Sequence, residues 1–285
     1  MRRCLLIGAL FVCAVALFAQ QKRGFLFEPK VGSEWRIEIL VETNFVQNGI
    51  FWSFGVKGKE RFVLEGRISD RIVRGGGVEY QVRVGFKEAI VEQEVVWRQS
   101  GWGEVWRKRW RYELGKDVPE DMGWFDEAVR KGGKICVWRT GEVIGETNEV
   151  LWAYLMRVPH LPRRGVRVGD EWRWEFDLSS VLARIVLKAK NKVGEDGEGL
   201  LIRQVYEGCD IGKAGRAGEI DVRLRFVKAA LGGEWRLRRD AFLPTGWCEA
   251  RLAFDVLRRG GMVDVEPARV ELRTRYECRL KRLNR

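Results

Sequence analysis

The sequence predicts a mainly β fold made of two duplicated, curved antiparallel β-sheet units, with one or two short helices between them or packed on them. Residues 31–38 read VGSEWRIE and residues 168–175 read VGDEWRWE, so six of eight positions agree at an offset of 137 residues. Similarity at such a spacing indicates that one structural unit is used twice. Alternating apolar and polar residues, separated by Gly-containing turn signals, indicate that the unit is built of strands. At about 120 residues each, both units can bury a core.

The first 19 residues predict where the protein acts. Arg2 and Arg3 precede an apolar run over residues 4–18, and Ala19 offers a small residue for cleavage. This pattern is typical of a secretory signal peptide, so we expect residues 1–19 to be removed and the protein to be exported, periplasmic or extracellular. A retained membrane anchor is the alternative, although the run is shorter than the roughly 20 residues of a spanning helix. We expect no transmembrane segment after cleavage.

The charge of the chain is strongly basic. It contains 52 Lys and Arg against 40 Asp and Glu, a formal net charge of +12, and loss of Arg2 and Arg3 would leave +10. A basic protein in the cytoplasm would suggest nucleic acid. Because we expect export, we expect no nucleic-acid partner and consider lipid, a cell-envelope polymer or an envelope protein instead. Simple solubility is the alternative explanation of the charge.

The first β unit is predicted over residues 24–147. Residues 35–42 alternate between apolar and polar side chains, which indicates a half-buried strand. Residues 62–73 and 78–86 flank the run Gly75–Gly77, which predicts a hairpin.

The hairpin over residues 91–114 has the clearest pattern. A two-residue turn at Gly101 and Trp102 would place three pairs opposite each other: Trp97 with Trp106, Glu94 with Arg109, and Glu92 with Arg111. Opposite charges across strands would then fix the register, since a slip of one residue turns every side chain to the other face. The apolar face carries four candidate ligand-binding residues: Trp97, Trp106, Trp110 and Tyr112. The alternative is that this face is core.

Two helical segments interrupt the strands. Residues 119–131 read PEDMGWFDEAVRK, with acidic residues first, basic residues last and a Gly pair following, as a helix favours. Residues 148–157 begin with an Asn that suits a helix cap and end before Pro159. This helix and the Pro-rich stretch after it form a linker over residues 148–164.

The second β unit is predicted over residues 165–285. Turn signals divide it into strands near residues 194–199, 213–218, 232–233, 244–246 and 260–261. Two arrangements of the units remain open at this point: sheets packed face to face, or each sheet wrapped around a short helix.

The repeated motif itself is interpreted as structural. Gly32 and Gly169 stand just before a strand, where a tight or left-handed turn is needed. Trp35 and Trp172 follow three residues later, in position to fold back over that turn. A folding module requires the same corner twice, whereas a functional site rarely needs two copies.

A resemblance to known sequences rests on short motifs in a fixed order. A signal peptide, a first V-G-x-x-W strand start, the segment TGEV at residues 140–143, LP at 161–162 and VRVGDEW at 166–172 follow one another. This order resembles uncharacterised exported bacterial β-rich proteins of unknown function with a duplicated V-G-x-x-W motif. The resemblance implies an envelope or periplasmic β-sheet protein and supplies no catalytic residues.

Four cysteines remain after the predicted cleavage: Cys136, Cys209, Cys248 and Cys278. In an oxidising compartment they permit two disulfides. The strands predicted at residues 249–258 and 268–277 would place Cys248 opposite Cys278, which leaves Cys136 to pair with Cys209. Four free thiols are the alternative. We expect no metal site, because no C-x-x-C spacing exists and the chain has a single His.

The sequence predicts no enzyme, no catalytic residue and no cofactor. The single histidine, His160, lies in the linker, so Ser-His-Asp and Cys-His arrangements have no suitable base. The glycine runs at residues 75–77 and 260–261 lack the strand-loop-helix context of a phosphate-binding loop. Paired carboxylates of the glycosidase type stay open in principle, although no apolar pocket around one can be recognised.

Binding is therefore the predicted class of function: a non-enzymatic exported envelope protein that holds a ligand or partner through a curved β-sheet. One version is a half-barrel carrier of lipid or another hydrophobic ligand. A second is carbohydrate or anionic-polymer binding through Trp stacking and Arg contacts. A third is an envelope scaffold or assembly protein. The alternative to all three is that the 13 Trp residues simply fill thin sheet cores.

Overall fold

A computed structural model describes residues 24–74, 77–101, 103–144, 148–155, 157–177, 183–196, 199–213, 221–259 and 268–283. These residues form one open, curved antiparallel sheet of twelve strands with two short α-helices. The prediction of a mainly β, curved antiparallel fold is confirmed. The predicted signal peptide, residues 1–19, lies outside the described residues.

The first unit contributes six strands: β1 (Glu34–Asn48), β2 (Trp52–Arg74), β3 (Gly77–Gln99), β4 (Gly103–Glu113), β5 (Gly133–Trp138) and β6 (Val143–Ile144). The second contributes β7 (Glu171–Asp177), β8 (Ala183–Asp196), β9 (Gly199–Lys213), β10 (Asp221–Leu237), β11 (Thr245–Arg259) and β12 (Ala268–Arg282). A 3₁₀ turn at Glu120–Met122 leads into helix α1 (Gly123–Lys131), and helix α2 is Glu149–Leu155.

The two units are halves of one continuous sheet. The strand order is β6-β5-β3-β2-β1-β12-β11-β10-β9-β8-β7, and β4 also pairs with β3. Strands β1 and β12 pair antiparallel from Trp35 opposite Arg282 to Asn48 opposite Arg269. The halves therefore join edge to edge, a third arrangement beside the two that the sequence left open.

The duplicated motif forms the same turn before β1 and before β7. Gly32 and Gly169 have φ values of 83° and 87°, in the left-handed region. The Gly32 N–H donates to the Ile68 carbonyl at 2.8 Å, and the Gly169 N–H donates to the Val193 carbonyl at 2.9 Å. Each turn thus ties the start of one strand to the end of its neighbour in the same way.

The tryptophans of the motif differ between the copies. The Trp35 side chain is fully buried, and its indole N–H donates to Ser33 Oγ at 3.1 Å. Trp172 is half-buried, and its indole N–H has no partner among the described residues. The backbone of the corner is therefore repeated more closely than its side-chain packing.

The two faces of the sheet differ in chemistry, as the β3–β4 hairpin illustrates. Trp97 lies opposite Trp106, and the predicted ion pairs form, with Arg109 Nη2 2.6 Å from Glu94 Oε1 and Arg111 Nη1 2.9 Å from Glu92 Oε1. The predicted register is confirmed from residue 90 to 97. A bulge after Trp97 shifts it by one residue near the turn, and Trp102 lies outside the described residues. We call the ion-paired side the outer face and the apolar side the inner face.

Both helices pack on the inner face near the middle of β2 and β3. The Phe125 ring of α1 meets Tyr112 at a centroid distance of 5.1 Å, and the Tyr154 ring of α2 meets Phe62 at 4.6 Å. Asn148 Oδ1 accepts from the Val150 N–H at 3.0 Å, so the predicted cap of the second helix is confirmed.

Loops from both halves complete the cover of the inner face. The Phe27 N–H donates to the Arg139 carbonyl at 2.9 Å, and the Glu28 N–H donates to the Arg239 carbonyl at 2.6 Å. The Trp35 and Phe242 rings lie edge to face at 6.1 Å. Because residues of both halves contact one another here, the described residues share one hydrophobic core.

The predicted turn at Gly232 and Gly233 is wrong, because both residues lie inside β10. A Cβ on Gly233 would lie 2.5 Å from the Trp247 carbonyl oxygen and 2.8 Å from Gln204 Oε1. The glycine is therefore explained by close packing beneath the Gln204 side chain rather than by a change of chain direction.

The predicted disulfides are wrong as well: Cys136, Cys209, Cys248 and Cys278 are all free. Cys248 lies opposite Tyr276, and Cys278 lies opposite Gly246. The true register places the two thiols diagonally, two positions apart, where Cα atoms are about 7 to 8 Å apart and too distant for a disulfide. Cys136 and Cys209 stand on β5 and β9, in different halves of the sheet.

Candidate ligand-binding face

The inner face continues as an apolar surface beyond the helices, toward the end of the sheet where β1 turns into β2 and β3 into β4. We call this end the hairpin end. Trp106, Trp97 and Phe54 lie directly opposite one another in β4, β3 and β2. The next row toward the helices places Val95, Val56, Phe45 and Leu272 side by side from β3 to β12. These seven residues form what we call the aromatic patch.

The aromatic patch is partly open to solvent. Trp97 and Trp106 are 36% and 47% exposed, and the other five members are half-buried. Phe45 and Phe54 stack edge to face at 6.3 Å. The patch crosses five strands, a width of about 19 Å. An acyl chain spans half of a hydrocarbon core of about 30 Å, so the patch is long enough to hold one.

The four predicted ligand-binding residues differ in exposure along the hairpin. Trp97 and Trp106 are accessible members of the patch. Trp110 is half-buried and packs against the core. Tyr112 is fully buried, and its hydroxyl donates to Asp126 Oδ1 of α1 at 2.9 Å, so it serves to hold the helix. Burial and the neighbouring carboxylate raise the pKa of Tyr112, which keeps the hydroxyl protonated and donating.

A row of short side chains separates the patch from the helix-covered core. Gly58, Thr43 and Thr274 lie opposite one another in β2, β1 and β12. A Cβ on Gly58 would meet no atom closer than 3.9 Å. Thr43 and Gly58 are half-buried and Thr274 is buried, so this row of short side chains lies at the boundary between the patch and the covered core.

A half-buried polar cluster stands next to that row. Glu60 lies opposite Val41, one row toward the core from Gly58, and accepts a hydrogen bond from the Tyr154 hydroxyl. The Arg157 guanidinium lies over the Tyr154 ring at 5.3 Å. Burial raises the pKa of the Glu60 carboxyl, while the Tyr154 hydrogen bond and the Arg157 charge lower it by less. Sequence reasoning missed this cluster, because Glu60 occurs in the charged run KGKER and resembles an exposed strand residue.

The same row carries further buried polar groups across the second half. Gln204 and Asn191 lie opposite each other in β9 and β8, and Trp172 follows in β7. Gln204 Oε1 accepts from the Trp235 indole at 2.7 Å. Gln204 Nε2 and both amide atoms of Asn191 have no hydrogen-bond partner among the described residues. No pattern in the sequence pointed to this row.

The outer face presents paired rather than free charges. A depression of about 560 Å³ there is lined by Arg61, Arg111 and Arg273, among others. Arg61 Nε lies 3.0 Å from Glu38 Oε1, Arg111 pairs with Glu92, and Arg273 Nη2 lies 3.0 Å from Glu249 Oε2. The fourth lining arginine, Arg275, lies over the Trp247 ring at 5.1 Å. Because three of the four arginines are paired with cross-strand acids, this depression is a weak anion-binding surface.

The described part of the chain lacks the features of several other kinds of site. It contains no group of three or more His, Cys, Asp or Glu placed to hold a metal ion. None of its helices combines the length and the apolar character needed to cross a membrane. His160 is exposed in the linker. Burial raises the pKa of Cys248 and of Cys278 to about 12 each, which keeps both thiols protonated and weakly nucleophilic.

Comparison with protein-family models and with characterised proteins gives no match. Among solved structures, the chain is similar to lipovitellin, whose structure describes lipid–protein interactions. The TM-score is 0.42 and the sequence identity is 7%, and the match covers 90% of this chain and 26% of the lipovitellin chain. It therefore spans about a quarter of the lipovitellin chain. OccK7 (OpdD) of Pseudomonas aeruginosa gives a TM-score of 0.28, with 8% identity over 89% of this chain and 100% of that one. The translocator domain of the autotransporter NalP from Neisseria meningitidis gives 0.20, with 10% identity over 88% and 90%. Similarities at this level carry no argument about function.

Proposed function

We propose that the protein is a non-enzymatic, exported binding protein that holds a hydrophobic or amphiphilic ligand, such as a lipid, against the inner face of its sheet. The observation that carries the proposal is the aromatic patch, where Trp97 and Trp106 are exposed side by side on the same face as the core. Apolar side chains left open beside a core are typical of ligand or partner sites.

The row of short side chains beside the patch supports an amphiphile in particular. The alkyl part would lie along the patch, between Trp106 and Leu272. Thr43, in the adjoining row of short side chains, is half-buried, and its hydroxyl suits the polar part of such a ligand. Carbohydrate or anionic-polymer binding is less well supported, because three of the four arginines that line the outer depression already have carboxylate partners.

The test is a fluorescence titration with N-phenyl-1-naphthylamine, a probe that brightens in apolar surroundings. The protein is purified from an export-competent host without detergent, as that host processes it. We expect saturable binding at one site per chain and displacement by a fatty acid or a lysolipid. Native mass spectrometry of the same sample is expected to show a lipid-sized adduct.

The variant Trp97→Ser with Trp106→Ser is expected to weaken probe binding at least tenfold, because burying each indole against a ligand contributes more than 1 kcal/mol. Trp124→Ser is the matched control, since Trp124 is 62% exposed on α1 and lies outside the patch. The proposal is wrong if the double variant binds the probe as tightly as the native chain, or if Trp124→Ser weakens binding equally.

A further inference from the structure

Two neighbouring hairpin ends carry exposed apolar side chains that the aromatic patch does not include. Ile50 and Phe51, in the turn between β1 and β2, are 65% and 61% exposed. Val105, near the start of β4, is about half exposed. None of the three belongs to the hydrophobic core of the described residues. We call Ile50, Phe51 and Val105 the tip.

The two hairpins are held side by side by backbone pairing. The Ser100 N–H donates to the Phe51 carbonyl at 2.6 Å, and Trp52 lies opposite Gln99. The tip therefore projects from one end of a paired sheet and does not depend on a single unsupported loop.

The same end of the sheet carries uncompensated positive charge. Residues 44–58 and 93–110 contain five basic and two acidic residues. Arg98 and Lys108 are exposed, and neither forms an ion pair with a carboxylate whose side chain the structure describes. Glu104, one of the two acids, is the residue opposite Arg98 in β4. Arg98 thereby differs from most arginines of the outer face, which have a carboxylate partner.

The spacing between the tip and these cations matches the depth of a lipid headgroup layer. Arg98 lies opposite Ser53, two residues from Phe51, which is about 7 Å along the strand. Lys108 is three residues from Val105, about 10 Å. Segments at a membrane interface bury their apolar side chains about 5 to 10 Å below the boundary between headgroups and acyl chains. Cations at this height therefore meet phosphate groups when the tip is inserted.

We infer that the tip is a membrane-docking surface, which inserts Ile50, Phe51 and Val105 into an anionic lipid surface while Arg98 and Lys108 contact lipid phosphates. Arg98 and Lys108 extend from opposite faces of the sheet, since Lys108 shares the row of Val95 on the inner face. Cations on both sides of an apolar edge suit a continuous layer of anionic headgroups. This inference does not depend on the proposed ligand site, and it assigns a different group of residues.

The test is co-sedimentation with vesicles of phosphatidylcholine containing about one third phosphatidylglycerol. We expect the exported chain to bind these vesicles at least tenfold more tightly than pure phosphatidylcholine vesicles, and to be released by high salt. Ile50→Ser with Phe51→Ser is expected to weaken binding at least tenfold. Arg98→Gln with Lys108→Gln is expected to weaken it about fivefold for each charge removed, and only toward the anionic vesicles.

Matched controls distinguish docking through the tip from nonspecific binding to vesicles. Val205→Ser removes an apolar side chain that is 61% exposed on β9, away from the hairpin end. Arg83→Gln with Lys131→Gln removes two exposed charges elsewhere. All variants carry the same N-terminus, so any contribution from it cancels. The inference is overturned if the native chain ignores anionic vesicles, or if the Ile50 and Phe51 variant binds them like the Val205 control. A lipid-free dimer that the same variant abolishes would also overturn it, since the tip would then join two copies of the chain.

Discussion

The Glu60 carboxyl is an acid on the apolar side of the sheet, and its surroundings set its ionisation. Burial disfavours the carboxylate, whereas the Tyr154 hydroxyl and the Arg157 charge favour it. Burial has the larger effect, so the pKa of Glu60 in the folded protein lies above its ordinary value of 4.5. The stability that this shift contributes is fully present below the unfolded pKa and is lost as the pH rises through the folded pKa.

Glu60→Gln is therefore expected to raise the free energy of unfolding above the pH at which native Glu60 ionises, with little effect below pH 4.5. Glutamine keeps an oxygen that accepts the Tyr154 hydrogen bond but carries no charge to bury. Urea unfolding between pH 4 and 8 measures the difference. Glu195→Gln is the control, since Glu195 is exposed on β8. If both variants follow the native pH dependence, burial does not control this carboxyl.

At the same scale, the sequence predicted charges better than buried polar groups. The Glu94–Arg109 pair was predictable because the two residues lie at equal distances from the turn and therefore face each other across the hairpin. Glu60 and Asn191 were not, because a polar residue in an alternating strand indicates an outward side chain unless its neighbours in space are known. The predicted disulfide between Cys248 and Cys278 was wrong for a related reason. The sequence located both strands, but the register inferred from it was off by two residues.

At the scale of single elements, the repeated turn allows a test made twice within one chain. Gly32 and Gly169 both have positive φ, and an added Cβ would meet nothing within 4 Å at either position. The left-handed conformation itself is then the only cost of a side chain there. We expect Gly32→Ala and Gly169→Ala to lower the free energy of unfolding by similar amounts, about 1 to 2 kcal/mol each.

Denaturant unfolding of both variants measures this cost, and Gly85→Ala provides the control. Gly85 lies in β3 with equally open surroundings and no positive φ. Alanine there is expected to be neutral or slightly stabilising, because it restricts the unfolded chain. An equal loss at Gly85 would show that the backbone conformation is not the cause.

Elements with a local signal were predicted, and elements fixed by distant contacts were not. The α2 cap at Asn148 and the turn at Gly32 depend on a few neighbouring residues. The pair Gly232 and Gly233 gives the same local signal as a turn, yet β10 continues through it, since Gln204 from the next strand occupies the space above Gly233. Tertiary packing decides whether such a Gly pair forms a turn or continues a strand, and this packing cannot be inferred from the local sequence.

At the scale of the whole molecule, the two halves depend on each other through the shared sheet. Each half alone would leave a long strand, β1 or β12, with unpaired backbone groups along one edge. Pairing these two strands removes both edges and makes one sheet. Loops from each half then cover the common inner face, as the contact of Trp35 with Phe242 shows. The patch at the hairpin end stays open because the helices cover only the middle of β2 and β3.

This architecture predicts that the two halves unfold together, although each begins with the same strand-start motif. Trp35 and Trp235 are fully buried, one in each half, so Trp35→Ala and Trp235→Ala are each expected to cost about 3 to 5 kcal/mol. Calorimetry is expected to show one transition, whose calorimetric and van't Hoff enthalpies agree, in the native chain and in both variants. Either substitution would move the whole transition, because the paired β1 and β12 transmit the loss to the other half. Two transitions, of which each substitution moves only its own, would mean that the halves fold as separate domains despite the shared sheet.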